Sequence, residues 1–330
     1  MKLLVCGGAG FIGSNFVRLR VRDHGDEVVV LDKLTYAGRK ENLRDTLGQI
    51  RFVHGAIEDP EAVADVIEGV EAVVNFAAES HVDRSISEPE AFVRTNLQGT
   101  FVLLEAARAA GVRFLHVSTD EVYGSIEKGS FTESSPLQPS SVYSATKTGA
   151  DLLVLSYFHT YRLETLVCRG SNNYGPYQYP EKLIPLMVLN ALHGDKLPVY
   201  GDGTQVRNWL YVEDFGRGIG HVLAHGAPGE VYNCGGPDEC PNIEVVRRIV
   251  ELTGNGESLI EHIADRPGHD RRYSLSSEKL RALGWQAQVH FAEGLEQTVA
   301  WYRENAWWWE PILSGDFREY YERHYGSALG

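Results

Sequence analysis

Cysteine is scarce, a basic excess is missing, and no apolar run is long enough to cross a bilayer. The four cysteines, Cys6, Cys168, Cys234 and Cys240, include no pair at CxxC spacing. Cys6 and Cys168 sit in apolar, strand-like runs, so core packing in a reducing compartment is the expected role. The formal charge of -14 argues against a broad nucleic-acid or anionic-membrane surface. It leaves room for one anionic ligand, because a few local cations and helix N-termini can hold a phosphate. His81, Asp83 and the histidines further along form no recognisable metal set, and no metal is expected. The opening MKLLVCGGAGFIG lacks the apolar run and cleavage site of a signal peptide. No segment approaches the roughly 20 apolar residues of a membrane span, and a cytoplasmic location is expected.

What is present is regular alternation. Short apolar runs at Lys2–Cys6, Glu27–Leu31, Arg51–His54, Ala72–Phe76, Arg113–Ser118 and Thr165–Arg169 read as strands. Helical stretches at Phe11–Arg22, Glu61–Glu68, Pro89–Ala110 and Ser141–Tyr161 lie between them. That pattern predicts an α/β fold, a Rossmann-type doubly wound parallel sheet with ligand at the carboxyl ends of its strands. From Asn172 the texture changes: Asn172–Pro180 reads as an ordered loop. Irregular elements follow, among them Val231–Cys234, Asn242–Leu252 and Ala292–Asn305. The expected division is a nucleotide-binding domain over 1–171, with a return near 207–224, and a smaller α/β substrate-binding lobe occupying most of 172–330.

Gly7, Gly10 and Gly13 fall in GGAGFIG, between the first strand and the first helix. Absent side chains let the backbone turn tightly and approach a pyrophosphate at a helix N-terminus. Asp32 ends the second strand, where a carboxylate accepts hydrogen bonds from ribose hydroxyls and repels a 2′-phosphate, favouring NAD over NADP. Lys33 and Arg39 are nearby cations that would offset that repulsion.

Tyr143 and Lys147 form YSATK, four residues apart on one helix face. A neighbouring ammonium favours the phenolate, and such a tyrosine takes a proton from an alcohol while hydride leaves for a nicotinamide. Thr119, Asp120 and Glu121 follow an apolar strand in STDEVYG and are expected at its carboxyl end. Oxidation alone needs no carboxyl pair. Elimination of water next to a ketone needs one group to take the α-proton and another to protonate the leaving hydroxyl. A turn aspartate beside an exposed glutamate is the bland alternative.

GxxGxxG at the start, NFAAESHVD from Asn75, and STDEVYG before YxxxK together resemble the extended short-chain dehydrogenase/reductases. The Thr-Asp-Glu triplet resembles the dTDP-glucose 4,6-dehydratases in particular, and the likeness runs from Met1 to about Gly326. It implies NAD as cofactor and a nucleotide sugar, dTDP-glucose, as substrate. Tyr143 would deprotonate the 4-hydroxyl, with Thr119 hydrogen-bonding O4 as hydride passes to NAD. Glu121 would remove the C5 proton, Asp120 would protonate the C6 hydroxyl, and hydride would return to C6.

The resemblance also assigns cofactor contacts to Phe11, Ile12, Lys33, Thr35, Ile57, Ala77, Ala78, Thr95 and Asn173, beside the three glycines, Asp32, Tyr143 and Lys147. Substrate contacts fall on Ser80, Thr119, Asn172, Lys182, Leu183, Pro198, Tyr200, Arg207, Asn242, Arg266 and His269. Arg207 would pair with the diphosphate, which suits a planar guanidinium. Pro198–Tyr200 would pack around thymine. Ala56 departs from the family, where an aspartate usually meets the adenine amino group; losing that acceptor costs ~1 kcal/mol, and Glu58 or Asp59 are the candidates to compensate. Pro89–Ala110 and Ser141–Tyr161 would pair across a two-fold axis as a four-helix bundle, making a homodimer. The aromatic stretch Trp301–Tyr325 is expected to pack on the substrate lobe. The rival on this fold is a sugar-nucleotide 4-epimerase or a UDP-glucuronate decarboxylase. A non-catalytic NAD-sensing protein is more remote, since it need not keep Tyr143, Lys147, Asp120 and Glu121 together.

Overall fold

Six apolar segments of the first half form strands: β1 (Lys2–Cys6), β2 (Glu27–Asp32), β3 (Arg51–His54), β4 (Ala72–Asn75), β5 (Arg113–Thr119) and β6 (Thr165–Gly170). They run parallel in the order β6-β5-β4-β1-β2-β3. The computed structural model describes residues 1–265, 270–314, 317 and 321. Strand order reverses between β1 and β4, which opens a crevice at the carboxyl ends of these two strands.

Both faces of the sheet are covered, and this is why its strands are nearly continuous in apolar residues. On one face α1 (Phe11–His24) and α8 (Val212–His225) supply Phe16, Val17, Phe215, Ile219 and Val222. On the other, α2 (Pro60–Ile67), α5 (Thr100–Ala110) and α6 (Val142–Tyr161) supply Val63, Val66, Leu103, Leu104, Val154 and Tyr157. Two short helices, α3 (Val82–Ser87) and α4 (Pro89–Phe92), precede α5. The stretch expected as one helix over Pro89–Ala110 is helical throughout, but its turn over Val93–Gly99 is widened to π-type hydrogen bonding.

Two expectations change. Val231–Cys234, read among the irregular elements of the second lobe, is β10, a seventh strand paired in parallel with β6 at the sheet edge. Four apolar residues carry no periodicity that distinguishes a returning strand from a local one. α10 (Glu278–Ala282) returns as well, with Leu280 and Trp285 in the core on the α1/α8 face. The return therefore extends past 207–224. Likewise Asn172–Tyr174, read as loop, is a short strand β7 held beside β9 (Val206–Tyr211), itself paired with β11 (Asp238–Pro241).

The second lobe completes its core with β8 (Leu197–Tyr200) beside β12 (Ile260–Ile263) and with α7 (Leu183–His193), α9 (Asn242–Thr253), α11 (Phe291–Glu304) and α12 (Ala306–Leu313). Leu186, Val188, Val245, Ile249, Leu295, Tyr302 and Trp308 are its buried centre.

Candidate active site

The glycine turn sits at the carboxyl end of β1. Gly7 has φ +74, and a Cβ there would lie 2.5 Å from the Ala77 nitrogen. A Cβ on Gly13 would fall 2.2 Å from the Gly7 oxygen. Only glycine lets this turn close and leave the N-terminus of α1 open to a pyrophosphate. Asp32 is buried, its Oδ2 accepting from the Ala9 N–H at 2.9 Å and its Oδ1 from the Leu34 N–H at 2.8 Å. Burial raises its carboxyl, while those two N–H groups work the other way.

The two cations that would favour a 2′-phosphate are already engaged. Lys33 Nζ donates to Thr95 Oγ1 at 2.7 Å and lies 3.3 Å from Glu79 and 3.5 Å from Glu58. Arg39 donates to the Trp308 carbonyl at 3.1 Å and pairs with Glu41 at 3.5 Å. Asp59 caps α2, accepting from the Glu61 and Ala62 N–H groups, and is committed there. Glu58 Oε1 faces Lys33 at 3.5 Å, and its Oε2 is buried without a partner.

One cleft is lined by Gly7, Gly10, Phe11, Ile12, Gly13, Asp32, Lys33, Thr35, Ile57, Ala77, Ala78, Ser80, Thr95, Thr119, Asp120, Glu121, Tyr143, Lys147, Asn172, Asn173 and Lys182. A second is lined by Leu183, Pro198, Tyr200, Arg207 and Asn242, and the two share Glu121, Asn172, Glu181 and Lys182. Arg266 and His269 lie outside the described residues. Buried polar atoms without a protein partner, Ser118 Oγ, Asn172 Oδ1, Asn173 Oδ1, Trp209 Nε1 and Asn242 Oδ1, belong to residues of these walls. A dinucleotide in the first cleft and a nucleotide sugar in the second fit that set of glycines, carboxylate and unused polar atoms.

At the end of β5 the chain turns tightly over Asp120–Tyr123. Thr119 Oγ1 accepts from the Glu121 N–H at 3.2 Å and donates to Asp120 Oδ1 at 3.3 Å. Asp120 is 2% exposed, and burial together with the Glu121 charge pushes its carboxyl up to about 8, against the pull of Arg207. It therefore stays protonated at neutral pH. Its Oδ2 has no protein partner. The turn does not leave Asp120 on the surface: it is buried and lines the cleft with Glu121.

Ser141 opens α6 with a capping box, its side chain accepting from the Ser144 N–H. That cap sets Tyr143 in the first turn and Lys147 one turn further in. Burial and the charge of Glu121 push the Tyr143 phenol well above its ordinary value, opposed by hydrogen bonding to Thr119. Burial and Glu121 outweigh any downward pull on this phenol from Lys147. Lys147 Nζ donates to His116 Nε2 at 3.0 Å and to the Val117 carbonyl at 2.7 Å. Burial lowers the ammonium to about 8.

In the second cleft Arg207 is buried over the Tyr273 ring at 4.5 Å, donating to the Val206 and Asp270 carbonyls. Lys182 donates to the Ser80 carbonyl at 3.1 Å. Several wall residues were not legible as such: Glu79, Ser118, Gln178, Glu181, Trp209 and Tyr273. Ser118 was reachable, because it immediately precedes the triplet. Trp209 was reachable too, two residues after Arg207 on one strand and so on the same face.

A glycine turn on β1 and a Tyr143–Lys147 helix face opening into one cleft is the arrangement of the extended short-chain dehydrogenase/reductases. The GDP-mannose 4,6 dehydratase family model matches residues 4–298, and the chain belongs to that family. It is 51% identical over 325 residues to a dTDP-glucose 4,6-dehydratase of Streptomyces niveus, covering 96% of this chain and 97% of that one. A dTDP-glucose 4,6-dehydratase of Streptomyces venezuelae, solved with NAD bound, superposes with a TM-score of 0.93 at 54% identity, over 94% of this chain and all of that one. The UDP-glucose 4-epimerase of Thermus thermophilus, solved with NAD, reaches 0.85 at 32% identity, over 92% of this chain and 100% of the other. The backbone is thus shared between dehydratase and epimerase.

Proposed function

We propose that the protein dehydrates dTDP-glucose to dTDP-4-keto-6-deoxyglucose with NAD, a hydro-lyase step of deoxysugar biosynthesis. The observation that carries this reading is the buried Asp120, its Oδ2 without a protein partner, beside Glu121 in the cleft that Tyr143 also lines. An epimerase or decarboxylase has no use for a neutral acid there. The likeness to NAD-bound dTDP-glucose 4,6-dehydratases supports the same cofactor and substrate.

In this reading Tyr143 takes the proton of the sugar 4-hydroxyl, while Thr119 hydrogen-bonds O4. NAD, when bound, brings a cationic nicotinamide that favours the Tyr143 phenolate, accepts hydride from C4 and returns it to C6. The C4 ketone acidifies C5–H. Glu121 removes that proton, Asp120 protonates the C6 hydroxyl, and water leaves. Glu121 then returns a proton to C5. Per turnover Tyr143 gains one proton and Asp120 loses one. Passing the first to the second resets both groups, and the Thr119 hydroxyl, bonded to Asp120 Oδ1, is placed to relay it. Lys147 orients the nicotinamide side of the cleft, and Arg207, Lys182 and Asn172 hold the diphosphate, with Pro198–Tyr200 against the base.

Domain 1–171, with the later return, is read as the cofactor half and the rest as the substrate half. Exposed Ile86, Val93, Phe101, Leu152 and Tyr161 lie on α3 to α6 and support a homodimer closed by a second copy of those helices. Among the described residues no helix is long and apolar enough to cross a membrane. Four unpaired, buried cysteines support a cytoplasmic setting.

Mass spectrometry of dTDP-glucose turned over in deuterated water tests the reaction. Loss of one water with one deuterium retained at C5 is expected. Intact hexose recovered from NAD-loaded protein would overturn the assignment.

A further inference from the structure

Glu181 is a carboxylate that the mechanism does not use, yet its side chain is only 2% exposed. Its Oε1 accepts from the Tyr36 hydroxyl at 2.9 Å, and its Oε2 from Arg84 Nε at 3.3 Å. The Arg84 guanidinium in turn lies 3.8 Å from the centre of the Tyr36 ring. These three side chains come from three separate parts of the chain. Tyr36 belongs to the loop after β2, whose neighbours Thr35, Ala37 and Gly38 line the cofactor cleft. Arg84 belongs to α3, and Glu181 to the segment leading into α7.

Burying an ion costs several kcal/mol, and an apolar contact of the same volume would hold two surfaces together more cheaply. What a charged triad adds is fixed geometry: a charge-assisted hydrogen bond and a stacked guanidinium allow one arrangement of the three segments. Here that arrangement shuts the adenosine-side loop against the substrate half, and Glu181 lines both clefts.

The chemistry gives such a closure a purpose. A reaction that borrows hydride at C4 and returns it to C6 fails if the reduced cofactor leaves in between. We infer that Tyr36, Arg84 and Glu181 form a clasp that retains the dinucleotide through the turnover. They are positioning residues, acting through the loop that surrounds the cofactor and not on the reacting atoms. The inference rests on the reading of the first cleft as the NAD site.

The test is the rate of NAD release from NAD-loaded protein, followed after rapid dilution into an NAD-trapping enzyme with no sugar nucleotide present. Tyr36→Phe removes one hydroxyl and keeps the ring, and Glu181→Gln removes the charge and keeps the shape. Release about tenfold faster in Tyr36→Phe is expected, the equivalent of one charge-assisted hydrogen bond, with Glu181→Gln faster in the same direction. Thermal melting of NAD-free Tyr36→Phe should fall, because a buried carboxylate loses a donor, but by less than that of the NAD-loaded protein. Unchanged release from folded Tyr36→Phe overturns the clasp. So does a loss of melting temperature equal in NAD-free and NAD-loaded protein, which would mark a tie that only stabilises the fold. Turnover plays no part in this readout, so a failure to dehydrate dTDP-glucose would strike the proposed function and not the clasp.

Discussion

Lys147 Nζ donates to His116 Nε2 at 3.0 Å, inside a pocket where the imidazole is 1% exposed. Burial and the neighbouring ammonium push His116 well below its ordinary value, so it is a neutral acceptor throughout the working range. Behind it Asp151 stands 3.9 Å away and is paired with Arg169 at 2.8 Å. The lysine of the YxxxK pair is thus held from beneath by an element the motif does not contain.

That relationship predicts a pH effect. His116→Leu leaves the buried ammonium with one acceptor fewer, which favours its neutral form. Its value should drop further below about 8, by one unit or more, since a hydrogen bond to a charged group is worth about 1.5–3 kcal/mol. The alkaline limb of kcat should move to lower pH by that amount, with KM little changed. His116→Asn keeps an acceptor and should restore most of the limb. An unmoved profile in His116→Leu would separate the histidine from lysine function.

Asp120 links catalysis to stability. Its folded carboxyl titrates near 8, against an ordinary value of 3.8. The folded protein therefore binds a proton that the unfolded chain releases between those values. The resulting stability is full below 3.8 and is lost as pH rises through about 8. Asp120→Asn cannot titrate, so it should gain in melting temperature over the parent by on the order of a few degrees at about pH 8.5, relative to about pH 4. The same substitution should slow water loss by about 10²–10⁴-fold, while oxidation at C4 continues and the absorbance of reduced nicotinamide builds up. Fast elimination in Asp120→Asn would assign the acid elsewhere.

The parts of the site that lie along one strand or one helix turn are legible in the sequence. Gly7 to Gly13, the Thr119–Glu121 triplet and Tyr143 with Lys147 are each local, and their order places them at strand ends. Contacts between distant segments were not readable. Glu181 looks like one more acidic residue in PEKLIP until the fold brings Tyr36 and Arg84 to it. His116 looks like a strand residue until α6 lies against β5. The edge strand Val231–Cys234 is illegible as part of the main sheet for the same reason, since only its pairing with β6 identifies it. The Tyr143–Lys147 spacing puts both on one helix face, while the acceptors that hold the ammonium come from β5.

The exposed apolar residues on α3 to α6 predict the oligomer. Leu152 is 54% exposed and Phe101 46%, on α6 and α5, two of the helices that cover one face of the sheet. Buried against a second copy, the exposed half of each contributes about 1 kcal/mol. Leu152→Asp combined with Phe101→Glu places charges in that face and should shift sedimentation from a dimer to a single chain. A parent protein that sediments as one chain would remove the bundle from the picture.

Trp308 carries the last prediction. The stretch from Trp301 was expected to pack on the substrate half, and α12 does so, with Trp308 in that core. Its indole also reaches the cofactor half: Nε1 donates to Asn42 Oδ1 at 2.7 Å. Asn42 Nδ2 donates in turn to the Ala9 carbonyl at 2.7 Å, within the glycine turn. Trp308→Phe keeps most of the packing and strands a buried acceptor, a loss of about 1–3 kcal/mol. Trp308→Ala removes the packing as well and should cost about 3–5 kcal/mol. Chemical denaturation followed by circular dichroism ranks the two. NAD affinity, measured by calorimetry, should weaken already in Trp308→Phe, because the glycine turn loses the partner that holds Asn42. If only Trp308→Ala affects NAD, the link runs through packing and not through Asn42.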